Sequence, residues 1–410
     1  MAGVVGFDEA LAVVAGWAAK VGAPATEALP LLECGGRVLA EDVKADRDQP
    51  PFDRSTRDGF AVRAGEVSAG GLLRVIGEVR AGQKWMEGAL ESGSAIQIMT
   101  GAPMPEGADA VVMVEHVERV GDAVRPLDGR SLVAGENVVP RGCEARVDAV
   151  VIPVGTVMDA AEIALAAACG CASLRVFRRP SVAIVATGDE LVEVDEVPEE
   201  QQIRNSNSYG LAALVAKVGG EAVRLPIAPD RREELEQIVL RARTSDLMLL
   251  SGGVSMGEYD LVEEVLLSMG AEFFFTGVKM QPGKPIVFGR LHEREGFPAR
   301  FFFGLPGNPI STQVTFHCFV EPLLRALSGE GSQGPRFVQA TLAEDVAGKP
   351  GLMRVLPAHL MADRVRPTVK LVGWQGSGDL AANSRANCYA VLPPERERFL
   401  AGDVITILLR

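Results

Sequence analysis

Apolar residues recur at helical spacing in FDEALAVVAGWAAKV (7–21), and the chain then turns to a short strand pattern in GRVLAEDVKA (36–45). From about residue 46 the texture changes. Short valine-rich runs broken by glycine follow, as in LLRVIGEVRAGQ (72–83), SAIQIMTGAPMPEGADAVVMVEHVERVGDAVR (94–125) and GENVVPRGCEA (135–145), and these predict an all-β module. Helical register returns in DAAEIALAAACGCA (159–172). The simplest reading is a β module inserted into a small helical unit.

Residues 179–330 alternate strand and helix. PSVAIVATGDE, EAVRLPIAPD, SDLMLL, AEFFFTGV, IVFGRL and RFFFGL read as strands. NSNSYGLAALVAKVGG, REELEQIVLRAR, YDLVEEVLLSMG and ISTQVTFHCFVEPLLRALSG read as helices. That order predicts a mainly parallel sheet covered on both faces. Residues 331–410 are β again, with turn signals at KPG, GWQGSGD and LPPERE. The expected fold class is α/β plus all-β modules, with a central α/β unit, an inserted β domain and a C-terminal barrel-like β domain. The expected boundaries are 1–45 with 147–178 for the discontinuous helical unit, 46–146 for the insert, 179–330 for the α/β unit and 331–410 for the last domain.

Composition adds exclusions. The chain has 410 residues, 47% hydrophobic and 23% charged, enough for about two to four domains with their own cores. A net charge of −13 argues against a nucleic-acid or anionic-membrane surface, though not against a local basic pocket. None of the six cysteines forms a C-x-x-C pair, so reduced, buried thiols in a cytoplasmic protein are expected. The N-terminal stretch lacks a basic region ahead of an apolar core, and no window approaches 18 uncharged apolar residues. Neither a signal peptide nor a membrane span is expected.

Ligands of open α/β sheets bind beyond the carboxyl ends of the strands. The turns expected there are TGDEL (187–191), APD (228–230), SGGVSMGEYD (251–260), KMQPGKP (279–285) and GLPGNPIS (304–311). Ser251, Gly252, Gly253 and Ser255 would present backbone N–H groups as an anion cradle at a helix start. The spacing matches neither a P-loop nor a dinucleotide fingerprint. Glu190, Asp230 and Asp260 fall just past strand ends; either aspartate alone could be a helix cap. Three acids beside an anion cradle point instead to Mg²⁺ bridging phosphate oxygens, since Mg²⁺ favours few, hard oxygen ligands. Lys279 and Lys284 supply positive charge, and a lysine held between prolines suits a fixed contact to an oxyanion. Pro306 and Pro309 stiffen a turn whose Gly307 and Asn308 tolerate positive φ, with Ser311 opening the next helix. Outside this block, PPFDRSTRDGFAV (50–62) and the residues around Thr100 carry more Arg, Asp, Ser and Thr than their turns require.

These residues carry a resemblance. PPFDRSTRDGFAVR, IMTGAPMPEGADAVVMVE, VAIVATGDELV, SGGVSMGEYD, PGKP, GLPGNPIS and WQGSGDLAANSRAN (374–387) occur in the order found in the molybdopterin molybdenumtransferase (MoeA) family, over essentially the full chain. The resemblance implies an L-shaped homodimer that takes adenylylated molybdopterin and molybdate as substrates. With Mg²⁺ it releases AMP and leaves molybdenum on the dithiolene, and it makes transient contact with the molybdopterin adenylyltransferase. It implies catalytic roles for Asp58, Thr100, Glu190, Asp230 and Asp260, and oxyanion or pterin-phosphate contacts for Lys284, Ser311 and Ser377. The departures are Gln281 where many relatives carry lysine, Arg57 where many carry methionine, and 349–360, whose Arg354 matches the family poorly. A tungstate-loading paralogue and a non-catalytic scaffold on the same fold are the alternative readings.

Overall fold

The computed structural model describes residues 3–69, 71–127, 129–253, 261–294, 296–331 and 333–410. At its centre is a six-stranded sheet in the order Glu221–Arg224, Ser181–Ala186, Leu247–Ser251, Arg300–Leu305, Val287–Leu291 and Ala271–Phe275. The first four strands are mutually parallel, and the last two continue as an antiparallel hairpin edge. Alternating strand residues enter different cores, as a pleat requires. Val182, Ile184, Leu247 and Leu249 face one cluster, whereas Ala183, Val185, Met248 and Leu250 face another. Both faces are covered, which is why these strands read as unbroken apolar runs.

The first helix, Phe7–Ala18, packs in the central core through Phe7, Ala10, Val14 and Ala18, rather than with the residues that follow it in sequence. Val4–Val5 pairs in parallel with Gly277–Val278 and so leads the helix onto that face. Burial of Phe7 and Val14 contributes about 1.5–3 kcal/mol each. Two antiparallel pairs join residues on either side of the insert: Thr26–Pro30 with Ser173–Phe177, and Val43–Lys44 with Val150–Ile152. The helix Ala160–Ala168 opens on a capping box in which Asp159 accepts from Ala160 N and Glu162 from Asp159 N.

The insert holds a six-stranded sheet in the order Ala110–Met113, Gly59–Val62, Ser94–Ile98, Leu73–Val79, Ala123–Pro126 and Val117–Val120, and a separate antiparallel pair, Arg54–Ser55 with Val138–Val139. It also contains a short helix, Ala64–Ser68, which the strand-like pattern had not suggested; Asp109 starts it by accepting from Ala64 N at 2.7 Å. In the C-terminal region Met353–Met361, Thr368–Leu371, Phe337–Leu342, Val404–Leu409 and Cys388–Leu392 pair in turn and close back on Met353–Met361, forming a five-stranded barrel. Met280–Gln281 adds in parallel to Met353–Arg354, so the KMQPGKP turn is tied to the barrel.

All six cysteines are free. Cys143 is exposed, against the expectation of buried thiols, because it lies in a polar turn after Pro140 and not in a core strand. No helix among the described residues is long and apolar enough to cross a membrane.

Candidate functional site

Two adjoining cavities open at the carboxyl ends of the parallel strands. The larger, about 760 Å³, is walled by Thr187, Glu190, Arg204–Asn207, Ser251–Gly253, Pro306–Pro309 and residues of the C-terminal domain at Gly378 and Leu380. The smaller, about 370 Å³, is walled by Gln281–Pro285, Ser311, Trp374, Gly376 and Ser377. They share Pro285, Pro306 and Asn308. The two Pro-Gly turns of the sequence therefore form the ridge between two halves of one cleft.

The glycine pair owes its identity to packing on the TGDE turn. A Cβ on Gly252 would lie 2.4 Å from the Thr187 carbonyl, and one on Gly253 would lie 2.7 Å from Thr187 Oγ1 and from Val262 Cγ2. Both residues also have positive φ, at 95° and 64°. Thr187 Oγ1 is buried without a hydrogen-bond partner among the described residues. Asn207 Nδ2 donates to Ser251 Oγ at 3.0 Å and to the Gly307 carbonyl at 2.7 Å, clamping the strand end to the LPGNP turn.

On the smaller side, Gly283 (φ 104°) lies against the helix that carries Ser311, so that an added Cβ would meet Thr315 Cγ2 at 2.6 Å. Ile310 N donates to Ser377 O at 2.9 Å, fixing the barrel loop over that helix start. Lys284 lines this cavity with an exposed side chain. Lys279 is exposed, and it belongs to neither wall; its backbone N–H is taken by Val5 O and its carbonyl by Met353 N. Gln281 is in register with Arg354, whose Nη1 donates to Ala347 O at 2.6 Å.

The remaining site residues separate. Glu190 is in the larger wall. Asp230 is exposed and its N–H donates to Asp189 Oδ1 at 3.2 Å, so it stands beside the TGDE turn without reaching the wall. It does not cap the following helix, whose N-cap is Arg231. Asp58 and Thr100 meet each other on the inserted domain, where one carboxylate oxygen accepts from Thr100 N and Oγ1 at 2.7 Å each. Those hydrogen bonds, the backbone one foremost, hold the Asp58 carboxyl below its ordinary range. Neither residue belongs to the walls of the two cavities. Ser255 and Asp260 lie outside the described residues. Among the described residues no three His, Cys, Asp or Glu side chains gather as a metal cluster. The acids at this edge, Asp189, Glu190 and Asp230, are nonetheless the hard oxygen donors that Mg²⁺ prefers.

Comparison with known proteins decides the family. Residues 5–170 match the MoeA N-terminal region (domains I and II), 183–326 a probable molybdopterin binding domain, and 339–409 the MoeA C-terminal region (domain IV). The chain belongs to the MoeA family. A molybdopterin molybdenumtransferase of Nostoc sp. is 36% identical over 393 residues, 93% of this chain and 88% of that protein. The Haemophilus influenzae enzyme of the same name is 34% identical over 387 residues, 93% of each chain. Two Pyrococcus horikoshii structures titled as molybdopterin biosynthesis MoeA proteins match with TM-scores of 0.74 and 0.80 at 31% and 29% identity, each over 99% of this chain and 99% and 100% of theirs. This family member is therefore a transferase of molybdenum cofactor biosynthesis.

Thr187, Asn205 and Asn207 also belong to the wall, although no local pattern marks them as site residues. The asparagines and serines of RNSNS were legible only as a helix start, and Asn205 does cap that helix, its Oδ1 accepting from Ser208 N at 3.2 Å. Asn207 looks like a solvent-facing first-turn residue until the LPGNP turn is brought beside it.

Proposed function

We propose that this chain inserts molybdenum from molybdate into adenylylated molybdopterin, cleaving the adenylyl phosphoanhydride and releasing AMP. The observation that supports this reading is the divided cleft. One half is lined by Glu190, Gly253 and Gly252, although the Gly252 N–H expected to face an anion is taken by Leu305 O at 3.3 Å; the other gathers Lys284, Ser311 and Ser377 around a smaller volume. A phosphate-bearing pterin suits the larger half and a tetrahedral oxyanion the smaller. Pro306 and Asn308, on the shared ridge, would touch both.

The two substrates are anions that repel each other, so the residues must hold charge close at low cost. Donors already fixed by the fold do this without reorganising as the bond breaks. Asn207 ties the Ser251 end to the Gly307 turn, and Gly283 lets the PGKP turn pack closely on the Ser311 helix. Arg354, in register with Gln281, offers a cation near the position where many relatives carry lysine. Mg²⁺ would be held by Glu190 and Asp230, with Asp189 beside them and Asp260 from the following segment; when bound it would offset the charge on the phosphate oxygens.

Asp58 and Thr100 stand on the inserted domain, apart from these walls, and serve the reaction when a second subunit brings them to the cleft. The reading accordingly includes a cytoplasmic homodimer, with the molybdopterin adenylyltransferase as the transient donor of substrate. The test is AMP release from adenylylated molybdopterin, assayed with molybdate and tungstate side by side, with and without Mg²⁺. Release that is independent of oxyanion would sink the proposal.

A further inference from the structure

At the opposite edge of the central sheet, where the parallel strands begin, lies a separate cleft of about 420 Å³. It runs between the segment that follows the first helix (Lys20–Gly22), the connector Arg178–Pro180, and the strand starts at Asp246 and Arg300. Four cations line it, Lys20, Arg178, Arg290 and Arg300, in a protein whose net charge is −13.

Two carboxylates answer them. Asp246 accepts from Arg178 Nη2 at 3.0 Å and from Ser181 N and Oγ at 2.9 and 3.0 Å, with Arg300 Nη2 at 3.6 Å. Glu272 takes Arg290 Nη2 at 2.9 Å. Lys20 has no carboxylate partner among the described residues; its Nζ stands 4.6 Å from the Trp17 ring centre, and Arg290 stands 4.8 Å from the same ring. Moreover, Arg290 Nε and Arg300 Nε are buried and without a hydrogen-bond partner among the described residues. A helix C-terminus favours a nearby cation, which accounts for Lys20. It does not account for three guanidinium groups gathered beside it, two of them with an Nε that is buried and unpartnered among the described residues.

We propose that this cleft is a second anion site, taking a phosphate-type dianion, either inorganic phosphate or the phosphate of a monoester. Guanidinium forks match the geometry of phosphate oxygens, and the excess of two cations over carboxylates matches the charge of such a dianion. Because Arg178 belongs to the connector and its N–H donates to Ala25 O at 2.7 Å, an occupant bridges the discontinuous N-terminal unit and the central sheet.

The experiment is calorimetric titration of the full-length protein with inorganic phosphate, repeated with AMP as competitor. Wild type and Lys284→Ala should bind phosphate alike, while Lys20→Glu should weaken it about tenfold or more. Lys20 is exposed and makes only the ring contact, so Lys20→Glu should fold normally; Arg290→Gln provides an independent second variant and should also weaken binding. Competition by AMP that disappears in Lys20→Glu assigns a monoester, and phosphate binding without AMP competition assigns the free ion. Equal affinity in wild type and both cleft variants would overturn the proposal. Loss of binding in Lys284→Ala would overturn it too, by placing the phosphate in the substrate cleft.

Discussion

A single carboxylate oxygen of Asp58 accepts two hydrogen bonds from Thr100, one from its backbone N–H and one from its hydroxyl, each 2.7 Å long. The pair joins two turns that are 42 residues apart in sequence and holds the carboxyl below its ordinary pKa. Its stabilising contribution is present above the ordinary aspartate pKa and is lost as pH falls through the depressed one. Thr100→Val keeps the backbone donor and removes the hydroxyl. We expect the Asp58 carboxyl to titrate at higher pH in that variant, measured by carbon NMR, with the acid limb of AMP release moving the same way. An unmoved titration would show that the backbone bond alone sets the carboxylate.

Asn207 is a clamp whose loss should be felt in both stability and binding. Asn207→Ala removes the bonds to Ser251 Oγ and Gly307 O. Thermal unfolding should show about 1–3 kcal/mol of destabilisation. The KM for the pterin substrate should rise, since both turns line the larger half of the cleft, the one proposed to hold it. Asn207→Asp restores the shape without the donor and should not rescue.

The two lysines of the KMQPGKP turn should behave differently. Lys284 lines the smaller cavity, so Lys284→Ala should raise the molybdate concentration for half-maximal AMP release about tenfold. Lys279 is exposed and outside both walls, so Lys279→Ala should leave that dependence unchanged. Should Lys279→Ala prove the more damaging, the assignment of the oxyanion to the smaller cavity fails.

A buried network supports the helix that begins near Ser311. Glu321, only 4% exposed, meets His317 Nδ1 at 2.7 Å, Arg325 Nη2 at 2.6 Å and Arg336 Nη2 at 3.4 Å. Burial pushes the Glu321 carboxyl up, but the His317 hydrogen bond and the cations outweigh it, leaving the pKa below its ordinary value. The network's contribution is therefore complete above the ordinary glutamate range and falls away in acid. Glu321→Ala should cost about 3–5 kcal/mol in denaturant unfolding at neutral pH, because buried His317 and the largely buried Arg325 lose their main partner. A cost below 1 kcal/mol would mean water already screens the cluster.

Much was legible in the periodicities. The unbroken apolar runs of PSVAIVA and DLMLL predicted doubly covered strands, and both lie in the interior of the sheet. Turn punctuation located the carboxyl-end loops, because only turns concentrate glycine and proline in that way. The helical pattern of residues 7–21 was equally clear, and the helix forms over Phe7–Ala18, yet its packing partner was not legible: a hydrophobic stripe states that a face must be buried without saying against what.

What the sequence determined by itself was therefore local: which segments form strands and helices, which turns carry chemistry, and the family to which those turns point. The tertiary structure decided which of those turns share a wall. Glu190, Ser251–Gly253 and Pro306–Asn308 meet because the parallel strands that carry them are neighbours, an ordering of chain segments that no local pattern encodes. The need for glycine at positions 252 and 253 also emerges only there, since the atoms that exclude a side chain belong to Thr187, just past the end of the adjacent strand, and at Gly253 to Val262 as well.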